Sequence, residues 1–377
     1  MIPVAAPQLG AEEQAAVAAV LAGGNLVQGP EVAAFEAEFC AEVVPGTRGI
    51  AVNSGTSALH VALLAAGIGT GDEVVVPSFT FAATANAVRL CGAVPVFADI
   101  DPVSFCLDPR AAAEAVTART RAVVPVHLFG HPADLDAFEA LAAEHDLRIV
   151  EDAAQAHGAH WRGRAVGAVG DASAFSFYPT KNMTSGEGGM VTTASPVIER
   201  TCRLLRNQGM EQRYRNEIVG LNYRMTDLHA AIGRVQLRRL AGFTAARRRT
   251  AERLGAAITA RATPGVVVPT AAAGAEPVWH QYTVRLSDAG AEVRDAVLEG
   301  LGRRGVGAGV YYPVPVHRLP AHADLPASAL RSDSLPHTDL AASQVLALPV
   351  HPAVTEADVE VIADALDAAV REVGGSA

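Results

Sequence analysis

From about Asn53 to Thr193, short apolar runs rich in Val and Ile alternate with longer stretches whose apolar residues recur every three or four positions. That alternation is the pattern of strands joined by crossover helices. The runs predict strands over residues 73–76, 94–98, 122–128, 147–151, 172–177 and 189–192. Their β-branched centres suit a parallel sheet covered on both faces. The periodic stretches predict helices over 56–66, 81–91, 109–118 and 135–145, with the short connections that βα units prefer. The fold class is therefore α/β, a mostly parallel sheet flanked by helices.

A longer helical pattern follows from Thr226 to about Gly255, and the Ala-Ala-Ala-Gly run ending at Gly274 reads as a surface turn. The remainder predicts strands over 281–286, 306–312 and 345–348 and helices over 291–303 and 355–373, enough for a smaller C-terminal α+β domain. The expected division is a large domain over residues 1–255, with its N-terminal segment, and a small one over 256–377. Residues 313–336, rich in Pro, His and Ser, read as an ordered loop beside a site.

Composition narrows the function classes. The chain has 377 residues, of which 50% are hydrophobic and 19% charged, with a net charge of −10. These values describe a globular protein long enough for two domains. No run of Lys or Arg could neutralise a row of phosphates, so nucleic acid is not an expected partner. The richest basic stretch, Arg247-Arg248-Arg249 with Arg238 and Arg239 upstream, reads as a solvated helix face. Four scattered cysteines without a Cys-x-x-Cys pair argue against a zinc site or a disulfide framework and for a reducing compartment. Without a basic leader followed by an apolar run, or an apolar stretch long enough to span a bilayer, a cytoplasmic protein with no membrane partner and no metal is expected.

Three stretches carry candidate chemistry. Asn53-Ser54-Gly55-Thr56-Ser57-Ala58 puts small hydroxylated residues where a helix begins; free amides and the positive helix end make an anion site, and the same residues also suit an ordinary cap. Val150-Glu151-Asp152 puts a carboxylate at the C-terminal end of an apolar strand, where open α/β sheets build their sites. Asp152 could pair with a protonated pyridine nitrogen, or cap the next helix; His157, a little further on, reads as a structural histidine. Phe175-Ser176-Phe177-Tyr178-Pro179-Thr180-Lys181 ends a strand with a lysine in a turn. A lysine there is either solvated or, once desolvated, a nucleophile toward an aldehyde. A phosphate cradle, an acid for a ring nitrogen and an amine for an aldehyde, together at strand ends of one sheet, point to pyridoxal phosphate (PLP). A nicotinamide-dependent oxidoreductase would need Gly-x-Gly-x-x-Gly after the first strand and a kinase Gly-x-x-x-x-Gly-Lys-Ser/Thr, and neither is found there.

With these residues the chain resembles the DegT/DnrJ/EryC1/StrS sugar aminotransferases, of the PLP-dependent transferase fold type I. Matching segments include Gly29-Pro30-Glu31-Val32, Asn53-Ser54-Gly55-Thr56-Ser57-Ala58-Leu59, Pro77-Ser78-Phe79-Thr80-Phe81-Ala82-Ala83-Thr84, Glu151-Asp152-Ala153-Ala154-Gln155, Ser176-Phe177-Tyr178-Pro179-Thr180-Lys181, Gly186-Glu187-Gly188-Gly189, Leu221-Asn222-Tyr223-Arg224-Met225 and Tyr311-Tyr312-Pro313.

The resemblance implies that Lys181 is catalytic, holding PLP as a Schiff base and moving the proton, while Asp152 pairs with the ring nitrogen. It further implies Gln155 on the ring hydroxyl, Phe81 against the ring face, and Thr56, Ser57 and Ser176 on the phosphate. Asn222 would reach the phosphate of a second subunit, making a homodimer with shared sites. Arg224, Tyr311, Tyr312 and His317 fall in segments that line the sugar side of the site in similar proteins. The implied reaction moves an amino group from glutamate or glutamine to a nucleotide-linked keto sugar. Alternatives are a cyclic polyol ketone as acceptor, or a PLP-binding regulatory protein without turnover.

Overall fold

The computed structural model describes residues 1–287, 289–330 and 334–374. Two helices, α1 (Ala11–Gly23) and α2 (Pro30–Val43), precede the sheet. The sheet strands are β1 (Arg48–Val52), β2 (Glu73–Pro77), β3 (Val94–Ala98), β4 (Thr120–Val123), β5 (Arg148–Asp152), β6 (Ala172–Ser176) and β7 (Gly189–Thr193). Their order is β1-β7-β6-β5-β4-β2-β3. β3, β2, β4, β5 and β6 pair in parallel, and β7 runs antiparallel to both β6 and β1. The last predicted strand is thus real but reversed, because it returns directly from β6 through the loop that carries Lys181 instead of through a crossover helix.

Helices α3 (Gly55–Ala65), α4 (Ala83–Leu90), α5 (Pro109–Ala115), α6 (Leu135–His145) and α7 (Pro196–Arg206) cover the sheet. Alternation along β2 divides the core: Val74 and Val76 pack with Leu59 and Leu63 of α3 on one face, and Val75 with Phe138 and Leu141 of α6 on the other. Each such fully buried aliphatic side chain contributes about 1.5–3 kcal/mol of transfer free energy. Asp134 caps α6 by accepting from the Ala137 amide at 3.1 Å, and Asp108 accepts from the Arg110 amide at 2.9 Å to start α5.

The long helix α8 (Asp227–Arg261) packs against α1 and α2 at its start and reaches the C-terminal layer at its end. Residue 255, the expected division, falls inside it. Beyond it come β8 (Val266–Val267), β9 (Tyr282–Leu286), α9 (Ala291–Arg303), α10 (Pro336–Gln344), β10 (Val345–Leu348) and α11 (Glu356–Gly374). The three strands form an antiparallel sheet in the order β8-β9-β10. Its core joins Val284 and Leu346 to Leu254, Ile258, Leu301, Ile362 and Leu366.

The strand expected over 306–312 does not form. Val306 and Gly309 make only isolated bridges, to Ile2 and Ala347, because the chain bends away toward the cavity, where Tyr311 and Tyr312 lie. The segment after it packs back on the main sheet: Val316 and Leu335 join the α3 side of the core, and Leu330 bridges Phe97 at the sheet edge. Residues 331–333 of the expected loop lie outside the described residues.

Candidate active site

The C-terminal ends of β5 and β6 and the N-terminus of α3 open into one cavity of about 600 Å³. Its lining includes Thr56, Phe81, Asp152, Gln155, Ser176, Lys181, Tyr311 and Tyr312. These residues come from widely separated parts of the sequence; what joins them is the parallel pairing of β5 with β6, which sets Asp152 opposite Ala174.

The cradle at α3 follows from local geometry. Ser54 caps the helix, accepting from the Ser57 amide at 3.1 Å and pairing with the Ser57 hydroxyl at 2.9 Å. The amides of Gly55 and Thr56 precede the first intrahelical bond, from Ala58 to the Ser54 carbonyl, and so remain available to an anion. Gly55 permits the close approach: a Cβ there would lie 2.7 Å from the Ser176 Cβ. Gly189 does the same from the other side, since a Cβ would meet the Ser54 carbonyl oxygen at 2.3 Å. Ser57 is buried beneath this surface, 8% exposed and paired with Ser54, and is not among the lining residues.

Asp152 is buried at the end of β5. One carboxylate oxygen accepts from the Thr84 hydroxyl at 2.7 Å and the other from the Ala154 amide at 3.2 Å. Burial raises its pKa, against which Thr84, Ala154 and the Lys181 charge favour the ionised form. Lys181 sits in a turn closed by its own amide on the Tyr178 carbonyl at 2.9 Å. It is partly open to the cavity, yet loss of water lowers its pKa to about 8, with Asp152 opposing the shift. Its amine is therefore closer to neutrality at physiological pH than that of a solvated lysine, the state a nucleophile needs.

Gln155 accepts from the Phe129 amide at 2.7 Å and donates to the Tyr312 hydroxyl at 3.0 Å. Tyr312 in turn lies against Phe81, with ring centroids 5.9 Å apart. Phe81 and Tyr178 are 58% and 48% exposed, so both present aromatic faces at the cavity instead of filling the core.

Besides Ser57, three expected residues do not line the cavity. The His317 Nδ1 pairs with the buried Ser78 hydroxyl at 2.6 Å, a bond that spends the imidazole on anchoring its loop. Arg224 donates to the Asn207 side chain at 3.0 Å, and Asn222 is exposed. Both belong to a segment that runs along the open edge of β1, bridging Asn207 and Val52 and receiving the Asn53 amide on the Tyr223 carbonyl at 2.9 Å. That edge adjoins the α3 cradle.

Some lining residues had no assigned role in the sequence reading, among them His280, Tyr178 and Arg247. Arg247 corrects the solvated-face expectation. It is 6% exposed, whereas Arg249 is exposed. The signal was present in the spacing: position 247 falls on the stripe of Leu240, Thr244, Ala251, Leu254 and Ile258, all buried on α8. His157, packed edge-on against Phe39 and fully buried, is outside the cavity. All four cysteines are free and buried. Among the described residues no cluster suited to a metal ion occurs, and no helix is long and apolar enough to cross a membrane.

The residues present fit PLP: a helix end with free amides held against Ser176, an aromatic face, a buried carboxylate and a desolvated amine share one cavity. The chain is similar to known proteins over most of its length. The dTDP-3-amino-3,4,6-trideoxy-alpha-D-glucose transaminase of Streptomyces venezuelae is 44% identical over 346 residues, 92% of this chain and 88% of that protein. The erythromycin biosynthesis sensory transduction protein EryC1 of Saccharopolyspora erythraea is 45% identical over 334 residues, 88% of each. The crystal structure of S. venezuelae DesV in complex with a ketimine intermediate superposes with a TM-score of 0.88 at 42% identity, covering 95% of this chain and 94% of that one. The model of the DegT/DnrJ/EryC1/StrS aminotransferase family matches residues 7–367, and the chain belongs to that family.

Proposed function

We propose that this protein is a PLP-dependent aminotransferase that moves the amino group of glutamate or glutamine onto the keto carbon of a nucleotide-linked sugar, as a cytoplasmic homodimer. The observation that carries the reading is the convergence of the Lys181 amine and the Asp152 carboxylate on one cavity beside a helix end with free amides. The relative named as a dTDP-aminosugar transaminase supports the substrate class.

Bound PLP supplies an aldehyde for an amine and a ring that withdraws electrons from the carbon being deprotonated. In this chain Lys181 would be the nucleophile toward that aldehyde, and its amine, with its pKa lowered to about 8, would take up and return a proton at its Nζ. Asp152, whose carboxylate accepts from Thr84 and Ala154, would pair with the ring nitrogen and favour its protonated form. Gln155 is fixed by Phe129 and Tyr312 for a bond to the ring hydroxyl, and Phe81 covers a ring face. Gly55, Thr56 and Ser176 hold the phosphate, with Ser57 beneath them bracing the cap. Tyr311 and Tyr312 border the space for the sugar. Asn222, exposed beside the cradle at the edge of β1, completes the phosphate site of a second subunit.

Borohydride reduction of the holoprotein followed by peptide mapping is the direct test. A pyridoxyl tag on Lys181 is expected, and a tag elsewhere or nowhere overturns the reading. One relative carries a sensory transduction name, which favours a regulatory protein without turnover as the second reading. Incubation with glutamate and glutamine separates the two: conversion of the cofactor to its amine form marks an aminotransferase, and no conversion with either donor marks a regulator.

A further inference from the structure

Among the described residues Arg247 is a buried cation without an acid. Its Nη1 donates to the carbonyls of Trp279 and His280, both at 3.2 Å. Its Nε is buried with no partner, and no bond from Nη2 occurs among the described residues. The Nε and Nη2 edge of a guanidinium offers two parallel donors at the spacing of a carboxylate's oxygens. Burying a guanidinium with that edge unsatisfied is costly, and burial alone lowers the Arg247 pKa to about 10. The residue nevertheless lines the cavity that holds Lys181. The link to Lys181 is short. His280, whose carbonyl Arg247 holds, pairs through Nδ1 with the Asn182 side chain at 3.2 Å, and Asn182 is the next residue after Lys181.

We propose that Arg247 binds the α-carboxylate of the amino donor. The assignment rests on the aminotransferase reading above and adds the donor's recognition element to it. Two anions enter such a site: the donor's carboxylate and the diphosphate of a nucleotide-linked sugar. The α-carboxylate is bonded to the very carbon whose amine reacts, so it must lie beside Lys181. The diphosphate is held away from the reacting carbon by the sugar ring and belongs toward the mouth. A buried cation in the cavity lining, linked through His280 and Asn182 to the residue next to Lys181, suits the first. Lysine would supply a point charge in place of the two-donor edge.

Arg247→Lys and Arg247→Gln holoenzymes test this with a binding and a kinetic readout. Calorimetric titration with 2-methylglutamate, which lacks the α-hydrogen and so cannot complete transamination, should show affinity lowered about 10- to 100-fold, the scale of losing a charge-assisted contact. Single-turnover reaction with glutamate and with glutamine should weaken by the same factor for both, since both carry the α-carboxylate. The half-reaction of the amine form with the keto sugar should stay within about threefold. Arg247→Lys guards against misfolding, and unaltered melting of that variant is expected. Unchanged 2-methylglutamate affinity overturns the proposal, as does a loss confined to glutamate, or an equal loss in the sugar half-reaction. None of these outcomes touches the borohydride result at Lys181, so the two readings fail separately.

Discussion

Lys181 is under two opposed influences: loss of water disfavours its ammonium form, and the Asp152 carboxylate favours it. Desolvation wins, and the amine titrates near 8 instead of 10.5. The sign of the stability effect follows. Between these two values the unfolded chain holds the proton that the folded chain has lost, so the stability of the cofactor-free protein rises with pH across that window. Below about 8 both states are protonated and the cost of the buried charge is at its fullest. Thermal melts of cofactor-free wild type and Lys181→Met at pH 8 and pH 10 should therefore differ in trend, with the wild type gaining on the variant as pH rises. A constant gap between the two proteins would show that Lys181 titrates like a solvated lysine.

At the same scale, Lys181 and Asp152 were legible from sequence because each is a reactive group at the end of an apolar strand, where the topology of open sheets leaves a crevice. Thr84 was quoted within a motif but without a role, since nothing in the local pattern reveals that its hydroxyl meets a carboxylate 68 positions away. Arg247 was hidden by its neighbours: three arginines in a row suggest a wet surface, and only the helical phase separates the buried one from Arg249.

At the scale of elements, the sharpest constraint is the seam where α3 meets β6. An alanine in a helix interior gains about 0.5–1 kcal/mol over glycine, an upper bound for the first position that Gly55 holds. At Gly55 the new Cβ would stand 2.7 Å from the Ser176 Cβ, and relieving such an overlap costs about 1–3 kcal/mol. The second effect is larger, so Gly55→Ala should lower stability and, by pushing α3 from Ser176, weaken PLP binding about tenfold or more. Equilibrium dialysis of PLP with the variant and a denaturant melt check both parts. A variant that is more stable and binds PLP normally would mean that the cradle is not set by this contact. Elements with strong periodicity were readable to the residue, as with α6, α9, β3 and β10. The expected strand over 306–312 failed because an apolar run followed by aromatics looks the same whether it joins a sheet or bends to line a cavity. The reversal of β7 was equally invisible, since burial on both faces erases the alternation that marks antiparallel pairing.

At the scale of the whole molecule, the single chain leaves its phosphate cradle bordered by an open edge. The segment carrying Asn222 runs along that edge, outside the cavity, and nearby residues expose apolar surface, with Ile218 39%, Val219 94% and Tyr214 80% exposed. Such exposure beside a binding cleft suits burial against a second copy, and a two-fold pairing would bring each Asn222 to the other's site. Shared sites have a consequence that separate ones lack. Lys181→Ala and Asn222→Ala should each abolish or strongly reduce transamination as pure proteins. When the two are unfolded together and refolded as a mixture, half the dimers pair one of each, and each mixed dimer contains one site with both residues intact. Activity should then return to about a quarter of the wild-type value per subunit. If each site were built from one chain, Lys181 and Asn222 would always come from the same subunit, and mixing would restore nothing. Recovery near that quarter, read in the glutamate half-reaction after co-refolding, therefore distinguishes a site built across two chains from one that a single chain completes.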